Sequence, residues 1–174
     1  LETLGYATEI SEDDFNSLDE ATLVDMYNKE VFDFYSKKEG QLSEILLPMI
    51  KDVFEKESHK YKRISIPFTD GRAVPLPISA NLEEAVQTEG HSIMRDVEKT
   101  VTLSLIDDEW KDHLRGMDEL KESVQAASFE QKDPLVIYKK ESYNLFQDMM
   151  GDMSKEVVSF LSKADVPRQA PEQQ

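Results

Sequence analysis

Leu103, Ile106, Trp110, His113, Met117, Leu120, Val124 and Ala127 recur in alternating three- and four-residue steps, the spacing that keeps one side chain per turn on a single seam of an α-helix. Such a seam holds only when another surface covers it, so it constrains the fold more than any other feature of the chain. The cover lies just downstream. Beyond the stretch S-F-E-Q-K-D-P, Ser128 to Pro134, a second stripe made of Tyr138, Leu145, Phe146, Met149, Met153, Val157 and Phe160 continues to about Leu161. Pro134 suits a first helical turn and Asp133 its N-cap. Two helices joined by about six polar or small residues fold back antiparallel. The spacing therefore predicts a long antiparallel helical hairpin with Trp110, Met117, Leu120, Val124, Tyr138 and Phe146 packed between its arms.

Upstream the pattern is less regular. Leu23, Met26, Tyr27, Phe34 and Tyr35 predict a helix from Ser17 to about Lys38, with Gly40 as its C-terminal stop. Leu42 to Phe54 predicts a second helix that Pro48 bends or shortens. Near residues 61–79 the period changes to two: Ile64, Ile66 and Phe68 alternate, Asp70-Gly71 has hairpin-turn chemistry, and Val74, Leu76 and Ile78 alternate back. Pro67, Pro75 and Pro77 cannot donate to a ladder, so this is a small edge-like β-hairpin. From Asn81 to Pro134 no proline intervenes, which predicts one nearly continuous helix of about 45 residues, roughly 65–70 Å long. The fold class is mainly α, a small helical domain with a short β-hairpin insertion followed by the long helical hairpin. Residues 167–174, with no periodicity, read as a flexible tail or linker.

Charge and composition narrow the chemistry. Thirty-six acidic against 20 basic residues give a formal net charge of −16, so nucleic acid and anionic lipid are repelled by most of the surface. With no cysteine there are no disulfides and no thiolate metal sites, which fits a reducing compartment. No apolar run approaches the roughly 18–20 residues of a membrane span, and the first residues lack the charge pattern of a signal peptide. The chain begins without Met and reads as a piece of a larger protein.

No G-x-x-x-x-G-K-[ST] or G-x-G-x-x-G loop occurs, so nucleotide-binding motifs are missing. His59, His91 and His113 form no H-x-x-x-H pair. Glu109, Asp112 and His113 share one helical turn, but His113 occupies the seam and the neighbouring carboxylates form a solvated flank, so no metal site and no catalytic residue is assigned.

The stretch from Leu105 to Lys163 resembles the helical scaffold domain of the SecA family, the ATPases that drive preproteins through the bacterial SecYEG channel. The resemblance is carried by W-K-x-H-L-x-x-M-D at Trp110 to Asp118, Q-K-D-P at Gln131 to Pro134 and Y-K-[KR]-E-S at Tyr138 to Ser142, and upstream by M-R-x-x-E-K at Met94 to Lys99. It implies that residues 91–166 are the two-helix finger and 1–90 the later part of the helical wing domain. The β-hairpin departs from the plain helical wing this resemblance implies and reads as a lineage-specific insertion.

The same resemblance implies roles. The finger's connecting loop meets the SecY channel and the preprotein, which places Phe129 at the contact with Ser128, Glu130, Gln131 and Lys132 beside it. In the family this residue is often Tyr; with Phe the hydroxyl is lost and the bulky apolar contact is kept. The residue-level alternative is that Phe129 folds back to cap the hairpin core. Arg115, Lys121 and Glu122 would face the parent's motor domains, which would hold ATP and Mg; the fragment itself has no cofactor. The implied setting is the bacterial cytoplasm, peripheral to the inner membrane, with anionic lipid met only through other parts of the parent. Apolar faces deprived of the motor would allow a homodimer. A free-standing helical adaptor or chaperone holding client proteins is the rival from a different class.

Overall fold

In the computed structural model, residues 4–71, 74–127 and 133–167 are described. The elements run α1 (Glu12–Ser17), α2 (Glu20–Glu57), β1 (Arg63–Phe68), β2 (Leu76–Asn81), α3 (Leu82–Gln87), α4 (His91–Ala127) and α5 (Pro134–Lys163). The chain is mainly α with a short antiparallel hairpin. It divides into two compact units, one of residues 4–99 with 160–167, the other Thr100–Ser159, so that α4 and α5 each contribute to both.

In the first unit the strands pair in a register that sets Ile64 opposite Ala80, Ile66 opposite Ile78 and Phe68 opposite Leu76. With a side-chain period of two, these six share one face, and Ile66, Phe68, Ile78 and Ala80 are fully buried there. The same core holds Leu42, Leu46 and Ile50 from α2, Leu82 and Ala85 from α3, and Ile93, Met94 and Val97 from α4. Each of the larger side chains contributes roughly 1.5–3 kcal/mol by leaving water.

Three local expectations are corrected. Gly40 does not end a helix: α2 continues through it and through Pro48 for 38 residues. Pro48 supplies no N–H to the carbonyl of Glu44, but both residues are exposed, so water can serve that carbonyl. Leu42, Leu46 and Ile50 on the opposite face hold the helix to the core.

The second correction concerns the helix after Asn81, which is interrupted rather than continuous. Asn81 caps α3 by accepting from the backbone N–H groups of Glu83 and Glu84 at 3.0 and 3.1 Å. The helix stops in a Schellman turn, in which Gly90 N donates to Ala85 O at 2.8 Å and Glu89 N to Val86 O at 3.2 Å. Glu89 takes the left-handed position at φ 51°, and Gly90 follows at φ 94°. A Cβ on Gly90 would lie 3.2 Å from the Cα and the carbonyl oxygen of Ser43, so glycine lets α2 approach this turn closely.

Third, Asp70-Gly71 is not a two-residue hairpin turn. The strands end at Phe68 and begin again at Leu76, and Val74 is exposed outside them. The backbone of Thr69 pairs instead with Asp165, exchanging N–H···O bonds of 2.9 and 2.8 Å, which draws the segment after α5 onto the sheet. Ala164 is buried there, and the Lys38 ammonium donates to the carbonyl of Ser162 in the last turn of α5.

Candidate functional site: the helical hairpin

The second unit consists of the later part of α4 and most of α5. Asp133 begins α5 by accepting from Leu135 N–H at 2.9 Å, with Pro134 in the first turn where its missing N–H costs nothing. The arms meet where His113 lies edge-on to Phe146, ring centroids 6.0 Å apart, and where Gly116 faces Leu145. These contacts fall at similar distances on either side of a short connection, so the arms run antiparallel. Each arm of the unit is about 40 Å long.

Of the residues placed in the packing on spacing grounds, Met117, Leu120 and Tyr138 are partly covered and Val124 is 7% exposed. Trp110 lies further out. Its indole centroid lies 5.4 Å from that of the His113 ring, yet the residue stays 46% exposed, and Phe146 is 42% exposed. Leu103 and Ile106 are exposed too, whereas Leu105 and Thr102 are partly covered. The physical reason is drift: a straight helix turns about 20° per heptad away from a 3.5-residue repeat, so one stripe cannot follow the partner over three heptads. Leu114 completes an exposed apolar row with Leu103, Ile106 and Trp110 that the spacing had not separated from the covered seam.

Part of the polar flank pairs within each helix. Lys111 bridges Asp107 and Asp108, Arg115 binds Asp112, and Lys155 lies 3.8 Å from Asp152. The hydrogen bond from Lys111 to Asp107 raises the ammonium pKa above its usual value. Such exposed pairs order the surface with little net stabilisation. Arg115 is thus engaged in its own helix, while Lys121 and Glu122 are exposed. Among the described residues no group of three or more His, Asp or Glu side chains could hold a metal, and His113 contacts rings rather than Glu109 or Asp112. Phe129, Ser128, Glu130, Gln131 and Lys132 lie outside the described residues.

Two shifted groups in the first unit are structural ties. Burial raises the pKa of the Tyr35 phenol, and its hydroxyl donates to Glu98 at 2.8 Å, joining α2 to α4. Burial lowers the pKa of Lys38, opposed by the nearby Asp165 carboxylate.

The family described as SecA Wing and Scaffold domain matches residues 5–165, a span containing both units and the β-hairpin. The chain belongs to the SecA wing and scaffold family. Protein translocase subunit SecA of Christiangramia forsetii is 42% identical over 167 residues, covering 96% of this chain and 15% of that protein. The proteins of the same name from Phocaeicola vulgatus and Porphyromonas gingivalis are 40% and 41% identical over 173 and 175 residues, covering 99% and 100% of this wing and scaffold segment and 16% of each relative. The segment therefore spans about 15–16% of the length of these curated relatives. No solved structure matches it. Within the family match, no helix among the described residues is long and apolar enough to cross a membrane.

Proposed function

We propose that this chain is the wing and two-helix finger of a SecA-type translocase, and that the hairpin transmits ATP-driven motion of motor domains elsewhere in the parent to a preprotein moving through the SecY channel. The observation that carries this is a paired-helix arm of about 40 Å, built on the W-K-x-H-L-x-x-M-D and Y-K-K-E-S motifs, within a chain matched to SecA subunits over nearly its whole length. An arm with a packed seam resists bending, and an aromatic tip engages unrelated sequences by apolar contact. Phe129 is the contact residue, with Ser128, Glu130, Gln131 and Lys132 around it. Trp110, Met117, Leu120, Val124, Tyr138 and Phe146 stiffen the arm. Residues 1–90 are the wing part and 91–166 the finger, with 167–174 a linker. Hydrolysis of ATP with Mg belongs to the parent's motor domains, and the segment alone has no ATPase activity. The parent acts at the cytoplasmic face of the bacterial inner membrane. The family match favours this function over a free-standing adaptor.

The test is photocrosslinking from position 129 in the full-length parent, with channel and a stalled preprotein present. Crosslinks to the channel or the preprotein are expected. In the same system Phe129→Gly is expected to impair translocation while the hairpin stays folded. Normal translocation by that variant, or a ring at 129 crosslinking only to its own hairpin, overturns the tip assignment.

A further inference from the structure

We propose that the groove between α1 and the first turns of α2 is a docking site for a cationic amphipathic peptide segment, one that carries Lys or Arg beside a row of apolar side chains. The groove belongs to the first unit and stands independently of the finger. It encloses about 550 Å³, with Ile10, Phe15, Leu23, Val24 and Tyr27 supplying its apolar walls. Phe15, Val24 and Tyr27 are exposed within it, an apolar surface that nothing else among the described residues covers.

The walls are held in place by a strap rather than left loose. Tyr6 stacks on Phe34 at 4.7 Å between ring centroids, and the Tyr6 and Thr8 hydroxyls donate to the Glu30 carboxylate at 3.1 and 2.6 Å. Glu9 N–H reaches the same carboxylate at 3.4 Å. Ser11 then accepts from Asp14 N–H and starts α1. The chain from Leu4 to Ser17 is thereby laid against α2 with the groove between them.

Charge decides what fits. Glu9, Glu12, Asp13 and Asp14 lie on the strap and α1, and Asp19, Glu20 and Asp25 at the start of α2, while no Lys, Arg or His occurs from Leu4 to Asn28. Glu12 itself lines the groove. An apolar slot with an anionic rim selects apolar side chains flanked by cations and repels a second copy of the same acidic surface. An amphipathic helix meets such a slot through anchors at three- and four-residue spacing.

The experiment uses the full-length parent chain and a fluorescein-labelled synthetic peptide with Leu and Lys at helical spacing, with a counterpart carrying Glu in place of Lys. Saturable binding of the Lys peptide alone is expected. Val24→Glu, placed on an exposed wall, should weaken it at least about tenfold. Val158→Glu, exposed on α5, should leave it unchanged. Affinity should fall from about 0.01 to about 1 M salt, as the screening length shrinks from roughly 30 to 3 Å. Equal binding to Val24→Glu would mean diffuse attraction to an acidic protein and overturns the site. So does equal binding of the Glu peptide, or a groove that takes no peptide in the full-length chain because the parent or a second copy fills it.

Discussion

Alanine should act with opposite signs at two glycines of the first unit. At Gly90 the backbone is at φ 94°, and a new Cβ would stand 3.2 Å from backbone atoms of Ser43. Holding an L-residue at positive φ costs about 1–2 kcal/mol. Relieving the clash means shifting α2, which Leu42 and Leu46 anchor in the core on either side of Ser43, and overpacking of this kind costs about 1–3 kcal/mol. A less flexible unfolded chain returns about 0.4–1 kcal/mol. Gly90→Ala should therefore lose about 1–5 kcal/mol. At Gly40, inside α2, a Cβ meets nothing within 4 Å, and alanine should gain about 0.5–1 kcal/mol in helix propensity. Urea titration followed by far-ultraviolet circular dichroism measures both. With a slope of about 2 kcal/mol per molar, Gly90→Ala moves the midpoint down by about 0.5–2.5 M and Gly40→Ala moves it up by about 0.3–0.5 M. Hydrogen exchange at core amides such as Ile50 and Val97 reads this unit separately from the hairpin. A neutral Gly90→Ala, or two shifts of the same sign, would refute the close approach of α2 to the Schellman turn.

Four further outcomes follow from the structure. Glu89 occupies the left-handed position of that turn at φ 51°, where glycine is free of strain, so Glu89→Gly should raise stability by up to about 1 kcal/mol in the same titration. Tyr35→Phe removes a hydrogen bond to the Glu98 carboxylate and should cost about 1–2 kcal/mol at neutral pH. Burial raises the Tyr35 pKa, and burial with the Glu30 hydrogen bond pushes Tyr6 up to about 12, so the folded chain keeps protons that the unfolded chain loses. Stability is then full below about pH 10 and declines as pH rises to about 12; Tyr35→Phe should flatten that alkaline decline, and an unchanged slope would exclude Tyr35 as its source. In the hairpin, a Cβ at Gly116 would sit 3.9 Å from Leu145, ordinary contact, so Gly116→Ala should stabilise this unit by about 1 kcal/mol, read from the thermal midpoint of Trp110 fluorescence.

Much of the hairpin was legible because its signals are local. Asp133 and Pro134 mark the start of α5 without reference to anything distant, and the short connection leaves an antiparallel return as the way to cover both stripes. The β-hairpin was legible on its buried face, where Ile66, Phe68 and Ile78 alternate as expected, but not at its turn, because the demand on Thr69 comes from Asp165, 96 positions later in the numbering. At the candidate site the motifs located the hairpin. They did not separate covered Val124 from half-exposed Trp110, since both fall on a 3.5-residue repeat and only the helix's own 3.6-residue turn tells them apart.

By itself the sequence determined the helical hairpin, the strand periodicity and the family, because period, caps and short motifs act within a few residues of themselves. Tertiary structure alone decided where the chain breaks. At Gly40 and Pro48 the local penalties, about 1 and 3 kcal/mol, are outweighed by Leu42, Leu46 and Ile50 entering the core at roughly 1.5–3 kcal/mol each, so α2 runs on. At Thr88 to Gly90 helix-compatible residues yield instead to a Schellman turn, because Gly90 has to pass against the backbone of Ser43 for α2, α3 and α4 to share one core.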